Sequence, residues 1–137
     1  MLRIKHRLFN PFTAAFLLYA ISITVLSLAR IDSSGQSFLR FEGADKLVHC
    51  IFYFGFTFLL ALACKGSFTR VLVRKEQIIV AIIAMTYSGI IELLQGFFTV
   101  YRSAELGDFV ANSVGVIFGL VALKVLDPFF NRMKNPK

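Results

Sequence analysis

Three short stretches carry side chains able to do chemistry inside an otherwise apolar chain. They are Asp45, Lys46 and His49; Glu92, Gln95 and Arg102; and Asp108 and Asn112. A carboxylate beside a histidine is the minimum for general acid–base work. Lys46 and Arg102 are cationic donors that can hold an anionic group such as a phosphate. Asp45, His49 and Glu92 form a conceivable metal-ligand set. One histidine is thin support for zinc, however, and the expectation is no metal and no cofactor. No HExxH, no ordered Ser-His-Asp triad and no cysteine nucleophile accompanies them. Cys50 and Cys64 lie about 21 Å apart along a helix, well beyond the roughly 7 Å that a disulfide bridges.

These residues are positioned by a membrane protein. The chain has 137 residues, of which 57% are hydrophobic and 17% charged, whereas a soluble domain carries about a quarter charged residues. Apolar runs near residues 12–29, 47–63, 78–98 and 109–126 are long enough, or nearly so, to cross a ~30 Å hydrocarbon layer. The second and fourth reach full length only by taking in polar residues at one end. The expected fold is all-α, a four-helix transmembrane bundle forming one domain over residues 1–137. The first run follows Arg3, Lys5 and Arg7 like a signal peptide, but it is longer than the usual apolar core of one, and cleavage is not expected. Residues 131–137 read as a polar tail.

The net charge of +7 would suit nucleic acid in a soluble protein. Here the basic residues sit between apolar runs, so membrane topology explains them and nucleic acid is not an expected partner. With both termini placed in the cytoplasm, eleven of the fifteen Lys and Arg fall on that side. Only Arg30, Arg40, Lys46 and Arg102 fall outside, as the positive-inside rule favours. The segment 65–75 is basic and suited to anionic headgroups.

Depth then brings the chemistry together. Asp45 and His49, four apart, share a face in the first turns of the second helix. Glu92 lies about 9 Å below the end of the third helix, with Ser88 and Gln95 on its face. Asp108, Asn112, Gly115 and Gly119 line one face of the fourth. Three polar faces therefore meet at one level, beneath the outer surface. Taken singly, Asp45 and Asp108 merely suit a helix N-terminus, and Lys46 suits an interface. Glu92 sits among Gly89, Ile90, Ile91, Leu93 and Leu94, where a charge costs several kcal/mol unless it is paired. Arg102, Lys46 or His49 are the available partners. Gly115 and Gly119, at GxxxG spacing, allow close helix packing behind the cluster.

Asp45-Lys46-Leu47-Val48-His49-Cys50-Ile51-Phe52-Tyr53 resembles the DKxxHxxxY motif of the VanZ-like membrane proteins. Ile91-Glu92-Leu93-Leu94-Gln95 followed by Arg102 is similar to that family's ExxQ…R segment, and Asp108 to Gly115 to its DxxxNxxG segment. Order and spacing fit over about residues 44–119. The chain departs where the family often places Pro before the Arg and Val100-Tyr101 stands instead. The resemblance adds Tyr53 to the candidate binding cluster. It also implies a multi-pass protein of the bacterial cytoplasmic membrane with a link to teicoplanin-type glycopeptide resistance. The expected partners are membrane lipids, with a lipid-linked cell-wall precursor or glycopeptide at a polar pocket on the outer face. An enzyme acting on a lipid headgroup by acid–base chemistry, and a structural or proton-linked protein without a small substrate, are the rival expectations.

The topology is open to direct test. Ser34→Cys should react with an impermeant thiol reagent in intact cells, and Ser67→Cys should not. The reverse pattern would overturn the orientation.

Overall fold

The computed structural model describes residues 10–28, 43–67, 70–98 and 106–134. These hold four helices and no strand: α1 Pro11–Leu28, α2 Ala44–Lys65, α3 Arg74–Phe98 and α4 Leu106–Lys134. All four are long and apolar enough to cross a membrane. The helices run past the apolar cores that mark them in sequence. α2 takes in Asp45, Lys46 and His49 at its start, and α4 continues through Pro128 to Lys134, so the expected tail at 131–134 is helical instead. Arg30, Arg40 and Arg102 lie outside the described residues.

Local chemistry sets the boundaries. Asn10 caps α1, its Oδ1 accepting the Thr13 N–H at 2.8 Å, and Pro11 follows at the first helical position, where a missing N–H costs nothing. The same Asn10 donates from Nδ2 to the Ala63 carbonyl at 3.3 Å, tying the start of α1 to the end of α2. α2 stops at Gly66, which adopts φ 66° and returns its N–H to the Leu62 carbonyl at 2.9 Å, the left-handed cap that glycine permits. Glu76 opens α3 by accepting the Val73 N–H at 3.1 Å and the Arg70 guanidinium.

Successive helices alternate in direction. The end of α1 meets the end of α3, where Gln95 Nε2 donates to the Ser27 carbonyl at 2.9 Å. The ends of α2 and α4 meet where Lys65 pairs with Asp127. α2 and α4 therefore run parallel. Outward faces carry Leu18, Ile21, Ile51, Ile82, Leu93, Ile117 and Val125, all largely exposed, as a lipid-facing surface requires. The interior holds Tyr53, Phe56, Ala61, Val80, Ala84 and Val116. Phe56 stacks on Tyr87 at 4.5 Å between centroids and meets the Phe16 edge at 5.0 Å, which joins α1, α2 and α3.

α2 and α4 touch backbone to backbone. A Cβ on Gly115 would collide with the Cys50 carbonyl oxygen and lie 2.9 Å from the Phe54 nitrogen. On Gly119 it would lie 3.0 Å from the Phe54 carbonyl oxygen and 2.9 Å from Thr57 Cβ. Without a hydrophobic effect between helices in lipid, such close packing is a main source of association. Gly115→Ala should therefore destabilise by about 1–3 kcal/mol, since backbone cannot rotate aside as a side chain can. Gly89→Ala, with no atom within 4 Å of its added Cβ, should be neutral or slightly stabilising. Thermal unfolding in detergent checks the pair, and equal effects would contradict the assigned α2–α4 contact.

Candidate functional site

The polar groups meet where α2 and α4 begin and α3 ends. Asn112, fully buried, is the hub. Its Nδ2 donates to Ser88 Oγ at 2.8 Å and to Glu92 Oε1 at 3.1 Å. Its Oδ1 lies 3.1 Å from His49 Nδ1. The orientation of this amide follows from its neighbours, because a carboxylate oxygen accepts and the NH₂ must face it. Oδ1 is then the atom left for His49, and Nδ1 must carry the hydrogen between them. Glu92 Oε1 lies 3.5 Å from the same Nδ1.

The other edge of the imidazole faces α4. His49 Nε2 lies 3.7 Å from Asp108 Oδ2, too far for a hydrogen bond. Asp45, one turn before His49, joins them, and one ligand atom each from Asp45, His49 and Asp108 lie within 4.8 Å of one another. His49, Glu92 and Asp108 are 4, 7 and 6% exposed, while Asp45 is exposed and forms the rim. Lys46 is also exposed, and its side chain lies over Gly107 at the start of α4.

Not every polar residue of the sequence reading enters this network in the same way. Gln95 is buried but reaches α1 at Ser27. Tyr53 is buried one turn below His49, its ring beside Phe56 and Tyr87 at 5.9 and 6.5 Å. Arg102 lies outside the described residues. Gly115 and Gly119 stand against α2 just below the cluster. Of the three groups that sequence offers Glu92 as a partner, His49 is beside it, and Asn112 bonds it as well. Ser88, which shares the Glu92 face, proves to be an acceptor for Asn112.

Other polar contacts lie away from the cluster. Lys65 and Asp127 form a pair at the opposite end, with side chains 1 and 13% exposed. Charge counting treats Lys65 as a basic residue of a loop, yet an acid in the Val-Leu-Asp-Pro stretch of a parallel helix is a signal for pairing. Tyr87 Oη donates to the Ala20 carbonyl at 3.0 Å and lies against Thr24 Oγ1, joining α3 to α1.

Removing the hub leaves its neighbours stranded. Asn112→Leu takes one hydrogen-bond partner each from Ser88, Glu92 and His49, and a buried group that loses its partner costs about 1–3 kcal/mol. The variant should unfold at markedly lower temperature. Ser113→Ala, which removes only an exposed hydroxyl bonded to the Phe109 carbonyl, should shift stability by less than about 0.5 kcal/mol. Similar unfolding temperatures for the two variants would refute the hub.

Comparison with known proteins places this architecture. No curated protein and no solved structure matches the chain. The family model described as VanZ/LLP1 matches residues 5–127, which takes in all four helices as far as Asp127 and every polar residue of the cluster. The chain belongs to the VanZ/LLP1 family of proteins.

Proposed function

We propose that this multi-pass membrane protein binds the anionic headgroup of an envelope molecule at its polar cluster, from the outer leaflet of the cytoplasmic membrane. The molecule is a lipid-linked cell-wall precursor or a phospholipid, and the interaction contributes to teicoplanin-type glycopeptide resistance. The observation that carries the reading is a buried network of His49, Ser88, Glu92 and Asn112, reached past an exposed Asp45 and Lys46, in a bundle with an apolar outer surface. Intramembrane ionisable groups are costly and mark functional sites by default. Lys46 and Arg102 supply the cationic donors for the headgroup. The distribution of basic residues supports the outward orientation, and family membership supports the link to resistance.

His49, its ring oriented by Asn112, favours a second reading in which the headgroup is also turned over by acid–base chemistry.

The test is a double-mutant cycle. Glu92→Gln and Arg102→Gln should each weaken binding of a lipid-linked pyrophosphate to the protein in nanodiscs at least tenfold, and lower teicoplanin resistance, while membrane insertion is retained. The double variant should lose little more, because each residue depends on the other. Strictly additive losses, or full binding by either single variant, would sink the proposal. Release of the headgroup during the same incubation would establish the enzymatic reading.

A further inference from the structure

The second nitrogen of His49 is the most informative atom in the bundle. Nδ1 is committed to Asn112 Oδ1 at 3.1 Å, and Asn112 is itself held by Glu92 and Ser88. A neutral imidazole with its hydrogen on Nδ1 carries its lone pair on Nε2. That nitrogen faces Asp108, whose Oδ2 lies 3.7 Å away, and Asp45 brings a carboxylate oxygen within 4.8 Å of ligand atoms of both residues. Among the described residues Nε2 makes no hydrogen bond, although the ring is 4% exposed.

The ligand atoms of Asp45, His49 and Asp108 have the spacing of a cation site. Zinc binds nitrogen and carboxylate oxygen at about 2.0–2.2 Å, so two ligand atoms on a tetrahedral ion lie roughly 3.4 Å apart. The Nε2 to Asp108 Oδ2 distance is 3.7 Å, close to that edge and beyond hydrogen-bond range. Asp45 is exposed and one turn from His49, so its carboxylate can close the remaining gap and the site borders its surroundings. A metal-binding histidine also donates its other N–H to a carbonyl or carboxylate, which fixes the ring. Asn112, backed by Glu92, occupies that position. The sequence reading groups Glu92 with Asp45 and His49 and sets a metal aside because one histidine is thin support for zinc. The structure puts Glu92 behind the ring and Asp108 in front of it.

We infer that Asp45, His49 and Asp108 form a binding site for a divalent cation of the zinc or manganese type. One imidazole among carboxylates suits these ions better than magnesium or calcium, which prefer oxygen alone. Three protein ligands leave positions open for water or for an oxygen of a bound headgroup.

The inference is tested with metal alone and does not depend on the proposed ligand. Full-length protein in nanodiscs of zwitterionic lipid is titrated with Zn²⁺ and, separately, with Mn²⁺ followed by electron paramagnetic resonance. The wild type should take up about one ion per chain. Asp45→Asn, at an exposed position, should weaken binding at least tenfold, with cooperative unfolding confirming that it is folded. Asp108→Asn should lose stoichiometric uptake, with cooperative unfolding confirming that it is folded. Glu76→Gln, at the far end of α3, should bind as the wild type does. Uptake by folded wild type no greater than by empty nanodiscs, or wild-type binding by both Asp45→Asn and Asp108→Asn, would overturn the site.

Discussion

A polar side chain surrounded by hydrocarbon has no water to bond with, so each buried donor and acceptor must be satisfied inside the bundle. The amide of Asn112 meets that demand for three helices at once. It offers two donors and an acceptor, and it spends them on Ser88 and Glu92 of α3 and His49 of α2. Without it, Glu92 would lose the amide N–H that holds its Oε1, and the imidazole would lose the bond that orients it. The α2–α4 contact serves the same end. Gly115 and Gly119 lie one and two turns below Asn112 and let the two backbones meet, which holds Asn112 within reach of His49.

The bundle is thus fastened at two levels by different means. At one end a neutral amide arbitrates among ionisable groups. At the other, Lys65 and Asp127 form a largely buried pair. A buried pair is weak evidence for net stability, yet stranding one member costs about 3–5 kcal/mol. It therefore fixes the register of α2 against α4 more than it adds to stability. Between the two ends the contacts are aromatic and hydroxyl-to-carbonyl, as in the Phe56–Tyr87 stack and the Tyr87 bond to Ala20. The polar end departs from that economy by concentrating ionisable groups, which is why it is the part that calls for a function.

Much of this was legible in the residues. Apolar runs mark the four spans, because backbone in lipid leaves helix as the simple solution for an apolar stretch of that length. Spacings of three and four bring Asp45 with His49, Ser88 with Glu92, and Asp108 with Asn112 onto single faces. What spacing does not carry is which neighbour a face meets. Gln95 shares the Glu92 side of α3 but turns to α1. Glu92 and Asp108 look equivalent as acids at one depth, yet they lie on opposite edges of one imidazole ring. The apolar runs also stop short of the helix ends. The first turn of α2 and the last turns of α4 are polar yet helical.

The chemistry of the site turns on one hydrogen. With Asn112 Oδ1 accepting from His49, the neutral imidazole is the Nδ1–H tautomer, with Nε2 turned to Asp108. The protein has two histidines, His6 and His49, so His6→Gln leaves a single imidazole to observe. Nitrogen-15 NMR of that variant at neutral pH, with ring-labelled histidine, reads the two nitrogens separately. Nδ1 should carry the hydrogen donated to Asn112, and in the neutral ring Nε2 should be the bare nitrogen. A hydrogen on Nε2 in place of Nδ1 would contradict this assignment, because Asn112 could then no longer be the group that sets the site.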